Sequence, residues 1–400
     1  VKKPLRITLC LCATEVLGLA GIATFSALLP TFIQTWQLSN TQAGWLSAVY
    51  YGAYVVAVPV LTAWTDRKDA KRILAIGLIT GALASLGFAW AKGIWTAMAL
   101  RFLAGISLAG IYMPGLKLLS DHTEGPLQSR YVSFYTASFS LGTSLSYYLA
   151  GEIHLAWGWR WAFAVSGFLT LAGYIVMVLA VPAGRVTGRR GDGGTGIRLK
   201  AVLGNRLVMA YVLGYAAHMW ELFSMRSWMV VFLAYSRQAQ IGTGWLPSPT
   251  QVVALINLIG LPASIGGNEL CRRWGRSRTL RIIMWSSALV AITVGFSARL
   301  PYGWVVCIGL FYGVLVLGDS ASLTAGAVAN APPGGRGTTL AVHSTLGFGA
   351  AFLGPLATGI VLDVLRGDAY LSWSMAFICM GAGCALGPLA LRLGQKRDVP

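Results

Sequence analysis

Residues 207 to 234 form an apolar run that nonetheless carries His218, Glu221 and Arg226. A helix needs about 20 apolar residues to cross the hydrocarbon layer of a bilayer, so a run of this length reads as a membrane span. An ionisable side chain at that depth is costly and usually faces a protein interior or a water-filled cavity. Residues 5 to 32 repeat the pattern, with Glu15 as the embedded acid. Such runs recur about twelve times. In hydrocarbon every backbone group must be satisfied internally, so the expected fold class is an all-α polytopic membrane protein with 12 transmembrane helices.

Composition agrees: 56% of residues are hydrophobic, 11% are charged and the mean hydropathy is +0.65. A soluble domain carries about 25% charged residues. The net charge of +18 does not point to nucleic acid, because the basic residues sit in short loops between apolar runs. In the expected topology 24 of the 31 lysines and arginines lie on the cytoplasmic side, five lie opposite, and Arg101 and Arg226 lie within spans. That bias orients the chain with both termini in the cytoplasm, and anionic lipid of the inner leaflet is a secondary partner. The opening Val1-Lys2-Lys3-Pro4-Leu5-Arg6 resembles a signal-peptide start, but the apolar run behind it is too long and is read as the first span.

The expected spans cover residues 5–35, 42–64, 73–90, 94–119, 130–150, 159–181, 203–235, 249–270, 280–298, 302–329, 338–362 and 370–391. A Gly- and Arg-rich segment separates the first six from the last six. The expected domains are therefore a six-helix bundle over 1–181, a cytoplasmic linker over 182–202 and a second bundle over 203–400. Landmarks recur at an interval of 206 residues: Glu15 with Glu221, Asp69 with Gly275, Arg72 with Arg278, Arg130 with Arg336, and Arg160 with Arg366. Two halves of parallel topology imply a pseudo-two-fold axis along the membrane normal with a central cavity.

The loop after the second span, Thr62-Ala63-Trp64-Thr65-Asp66-Arg67-Lys68-Asp69-Ala70-Lys71-Arg72, and Arg101-Phe102-Leu103-Ala104-Gly105 on the fourth carry a further signal. With the six-plus-six span count and basic linker, they resemble the major facilitator superfamily. Asp69 stands where that family's loop places its second glycine and Thr62 where it places the first. The second-half loop, Glu269 to Arg276, keeps Gly275-Arg276 but has Arg272 in the acidic position. The fifth span lacks the family's antiporter proline, while Gly354-Pro355 lies on the eleventh. The resemblance implies a transporter with two pseudo-symmetric six-helix bundles, and ties Arg101 to proton coupling or an anionic substrate.

The residues themselves suggest the division of roles. Glu221, with His218 three residues before it on the same helical face, is the leading proton carrier, joined by Glu15 and Asp319. Arg101 and Arg226 are candidate anion ligands, because a guanidinium cannot be neutralised cheaply. Tyr50, Tyr54, Tyr147 and Ser320 offer hydroxyls and rings to a substrate. Asp66, Arg67, Lys71, Arg72 and Arg276 are expected to gate, as charges that pair in one conformation and part in another. No nucleotide-binding loop, metal-ligand spacing or nucleophile–base pair stands out, so no enzyme, cofactor or metal is expected.

The expected function is proton-coupled alternating-access transport of a small anionic solute by a monomer in a bacterial-type inner membrane. The alternatives are an exporter of amphipathic, drug-like compounds and a non-transporting receptor or scaffold.

Overall fold

A computed structural model describes residues 2–65, 67–123, 127–184, 195–238, 240 and 242–394. In chain order the helices are α1 (Lys2–Gly18), α2 (Thr24–Ala27), α3 (Leu29–Thr35), α4 (Asn40–Trp64), α5 (Ala70–Phe88), α6 (Ile94–His122), α7 (Gln128–Trp157) and α8 (Trp159–Ala180). They continue as α9 (Thr195–Gly204), α10 (Arg206–Gln238), α11 (Pro249–Trp274), α12 (Arg276–Phe296), α13 (Tyr302–Gly318), α14 (Ser320–Ala329), α15 (Arg336–Val364) and α16 (Ala369–Leu393). No strand occurs among the described residues. Every expected span falls on helix. Among the described residues nine segments are long and apolar enough to cross a membrane by length and composition. The others are the broken α1–α3 and the long helices α7 and α10, whose polar residues lower their hydropathy.

Helix ends follow local chemistry. Asn205 accepts from the Leu207 and Val208 amides at 3.1 Å and so caps the start of α10. Ser248 and Gln251 form a capping box with Pro249 in the first turn of α11. Asp368 caps α16 through the amides of Tyr370 and Leu371.

Two spans expected to be continuous are interrupted. The first breaks over residues 19–23, and serines of neighbouring helices satisfy the freed backbone. Ser146 accepts from the Ala23 amide at 3.1 Å and donates to the Ala20 carbonyl at 2.7 Å, and Ser166 donates to the same carbonyl at 3.1 Å. The tenth breaks at Asp319, which separates α13 from α14. Within the expected linker, α9 covers the last part, and 185–194 lie outside the described residues.

Two compact units emerge. The first comprises Val1–Leu38, Val49–Arg190 and Val253–Leu258; the second comprises Ser39–Ala48, Gly191–Val252 and Ile259–Pro400. The first has a core around Leu11, Leu74, Leu118 and Met177. The second has one around Val212, Leu280, Met284 and Leu323. Large apolar side chains such as Leu83, Leu179, Leu289 and Leu386 are 60% or more exposed, as lipid-facing positions of a spanning helix should be. Trp90, Trp95, Trp157 and Trp304 are exposed close to helix ends, where tryptophan sits at membrane–water interfaces.

Candidate functional site

In the second unit Asp319 meets His218 of α10, and His343 meets the Tyr215 ring on the same helix. His218 and Glu221, three residues apart, are fully buried. His218 Nδ1 lies 2.6 Å from Asp319 Oδ1. Asp319 reaches this place because α13 ends at Gly318, leaving the acid at the junction of two helices. Glu221 Oε1 accepts from Ser287 Oγ of α12 at 2.9 Å and from Tyr312 OH of α13 at 3.1 Å.

An aromatic stack extends the cluster. The Tyr215 ring lies 5.6 Å from that of His218 and 3.8 Å from that of His343, tilted by 25° and 18°. His343 Nε2 in turn lies 3.1 Å from Thr324 Oγ1. A side chain at Gly347 would overlap the Tyr215 ring, so this glycine lets α15 bring His343 against α10. Arg226 is buried with its guanidinium 5.4 Å from the Phe223 ring centroid, a cation–π contact. Ser320 opens α14 and is half-buried.

The first unit holds a different set. Glu15 is buried on α1 and accepts a hydrogen bond from Ser138 Oγ of α7. Arg101 on α6 is 3% exposed and lies over two rings, with centroids at 4.2 Å for Tyr50 and 4.9 Å for Phe25. Tyr51 packs edge-on against Tyr50 at 5.2 Å. Gly105 makes this possible, since a Cβ there would overlap the Tyr50 carbonyl. Tyr54 and Tyr147 are likewise buried.

The residues expected to gate take several roles. Lys71 Nζ donates to the carbonyls of Val178 at 3.0 Å and Val181 at 2.6 Å, placing a cation at the C-terminal end of α8, where the helix dipole favours it. Asp69 caps α5 through the Lys71 amide at 2.9 Å and ties in the Gly184 amide at 2.8 Å. Arg67 and Arg72 are exposed, Arg276 is half-buried, and Asp66 lies outside the described residues. Glu269 pairs with Arg272 at 3.1 Å and Arg273 at 3.0 Å on the helix surface.

Sequence reasoning missed Asp363. Within the second unit its Oδ1 accepts from the backbone and side-chain nitrogens of Asn40, each at 3.0 Å, and its Oδ2 accepts from the Thr41 amide at 2.7 Å. A carboxylate 322 residues away thus caps the first turn of α4, and no local motif announces it. Ser138, Ser287 and Tyr312 were missed because nothing distinguishes them from the other hydroxyls on spans. Tyr215 had a weak signal, its place three residues before His218.

The model of the Major Facilitator Superfamily matches residues 11–355. Protein spinster homolog 3 of Danio rerio is 25% identical over 240 residues, 58% of this chain and 48% of that protein. The sphingosine-1-phosphate transporter SPNS2 of Xenopus tropicalis is 22% identical over 404 residues, 95% of this chain and 78% of that protein. The chain spans about half the length of the first curated relatives it matches. In structure it resembles the inward-facing, unoccupied form of a bacterial homolog of the human lysosomal transporter Spinster, with a TM-score of 0.76 at 15% identity, covering 98% of this chain and 95% of that one. The match to the family model over most of the sequence, together with this fold, establishes that the chain belongs to the major facilitator superfamily.

Proposed function

We propose that the chain is a secondary transporter that moves a small anionic solute by proton-coupled alternating access. It acts as a monomer in a bacterial-type inner membrane, with its basic helix ends and both termini in the cytoplasm. The observation that carries the reading is the buried His218–Asp319 pair at 2.6 Å with Glu221 about one turn along α10. Two carboxylates and an imidazole together can hold and pass a proton, and their charge state in a low dielectric is tightly linked to occupancy of the site. Glu15 is the first unit's counterpart in proton handling.

Arg101 is the proposed anion ligand. Its planar fork can take a carboxylate or phosphate through two hydrogen bonds, and Tyr50 and Phe25 would wall the solute with apolar surface. Arg226, Tyr54, Tyr147 and Ser320 complete the proposed binding set. One relative is named as a transporter of sphingosine-1-phosphate, and its phosphate is an anion of the kind a guanidinium holds.

Glu15, Arg101, His218, Glu221, Arg226 and Asp319 are each at most 6% exposed. Loading therefore needs a second conformation in which water reaches them. Asp66, Arg67, Lys71, Arg72 and Arg276 are assigned to the cytoplasmic gate, and the Asp363 cap on α4 to the opposite side.

The test is a thermal-unfolding screen of purified protein against organic anions, cations and uncharged amphipaths, with sphingosine-1-phosphate among the probes. A ligand that prefers the folded state raises its stability. Anions should stabilise the wild type and stabilise Arg101→Lys less, and the best hit should enter proteoliposomes faster under an inward proton gradient. Stabilisation by cations alone, or uptake indifferent to pH, would overturn the reading. The rings against Arg101 favour one rival, an exporter of amphipathic compounds, which predicts that uncharged amphipaths stabilise as strongly as anions.

A further inference from the structure

Away from the embedded acids, the second unit carries an open groove of about 430 Å³ lined by Arg278, Arg281, Ile282, Trp285, Ser286 and Arg392. Five of these lie on α12 at offsets of zero, three, four, seven and eight residues from Arg278, so they share one helical face. Arg392 comes from the last turn of α16. Arg278 and Arg392 are exposed and Arg281 is half-buried. The described residues lining the groove include no acid, and neither does the first turn of α12. Glu269, on the preceding helix, is engaged by Arg272 and Arg273.

The guanidinium groups of Arg278 and Arg392 share one groove and repel each other, and the positive pole at the start of α12 adds to the field near Arg278. An anion between them removes that repulsion. The groove is also graded with depth. At 1.5 Å per residue Trp285 lies about 10 Å further along α12 than Arg278. Trp285 is 42% exposed and Ile282 54%. Cations at the helix end with an apolar wall one to two turns deeper match a phosphate headgroup with acyl chains below it. A free phosphate would leave that wall unused.

We propose that this groove binds the headgroup of an anionic phospholipid from the leaflet at the basic ends of the helices. Arg278, Arg281 and Arg392 hold the phosphate, and Ile282 and Trp285 pack against the first methylenes of an acyl chain. The site is separate from the proposed transport residues and does not depend on the solute carried.

The test uses the full chain in neutral detergent, with thermal unfolding read after addition of phosphatidylglycerol, phosphatidylcholine or inorganic phosphate. Phosphatidylglycerol should raise the unfolding midpoint by several degrees more than phosphatidylcholine, and inorganic phosphate should not. The variant Arg278→Gln/Arg281→Gln/Arg392→Gln should lose that excess. A charge-matched control, Lys92→Gln/Arg160→Gln/Arg366→Gln, should keep it. An equal gain in the groove variant, an equal gain with phosphatidylcholine, or an equal gain with inorganic phosphate would each overturn the proposal. If the triple variant does not fold, Arg392→Gln alone is compared with the wild type by native mass spectrometry. It should retain fewer phosphatidylglycerol molecules, and unchanged retention would overturn the assignment.

Discussion

Glu15 and Glu221 stand 206 residues apart, at matching places on the first helix of each half, yet the two units surround them differently. Glu15 takes a hydrogen bond from one hydroxyl, that of Ser138, on a helix that breaks four residues later. Glu221 takes two, from Ser287 and Tyr312, on a helix that runs unbroken for 33 residues. The neighbours diverge further. At the same interval His218 corresponds to Cys12 and Asp319 to Met113, while Arg101 of the first half corresponds to Cys307 of the second. The repeat keeps a carboxylate in each half, but the imidazole–acid pair belongs to the second unit, and the arginine set over two rings, Arg101, to the first, while Arg226 of the second lies over Phe223. Duplicated scaffolds thus carry unlike chemistry, and the proposed mechanism assigns the proton chiefly to the second unit and the anion to the first.

The largest expected effect lies on the proton side. Glu221→Gln should reduce uptake driven by a pH gradient to near background in proteoliposomes while folded protein remains in the membrane. Glu15→Gln should leave a measurable gradient response, and equal losses would erase the proposed asymmetry. Asp319→Ala removes one member of a buried pair, which costs about 3–5 kcal/mol when a charge is left uncompensated. Thermal or denaturant unfolding should show that loss, and His218→Ala/Asp319→Ala should cost less than the sum of the two single variants.

On the anion side the effect is smaller. Arg101→Lys keeps the charge but gives up the planar fork and its stacking on Tyr50, so affinity for a stabilising anion should fall by roughly tenfold, a cation–π term of about 1–2 kcal/mol. Titration of the unfolding midpoint with the anion reads this directly, and an unchanged affinity would make Arg101 purely structural. The smallest change is Asp363→Ala. Loss of a helix cap costs about 0.5–2 kcal/mol, and a modest drop in the unfolding midpoint should accompany it.

The long apolar runs made the helices readable before any coordinates, because hydropathy over about 20 residues is a strong local signal. The breaks were not readable. No proline marks residues 19–23; the chain can leave the helix there because Ser146 and Ser166 arrive from α7 and α8 to satisfy it. Nor does the sequence around Asp319 show that α13 stops at Gly318. For the candidate site, charge within an apolar run was enough to single out Glu15, Arg101, His218, Glu221 and Asp319. Which of them meet was not, since pairing depends on helix rotation and on contacts such as His218 with Asp319, 101 residues apart. Asp363 illustrates the limit: read alone it is a loop acid at a helix end, and its role as the cap of α4 exists only in three dimensions.

The division of labour is tested most directly by measuring uptake of one stabilising anion into proteoliposomes with and without an inward proton gradient, for the wild type, Glu15→Gln and Glu221→Gln side by side. The account predicts that the gradient accelerates the wild type, retains part of its effect in Glu15→Gln and has none in Glu221→Gln. Full gradient-driven acceleration in Glu221→Gln would contradict it.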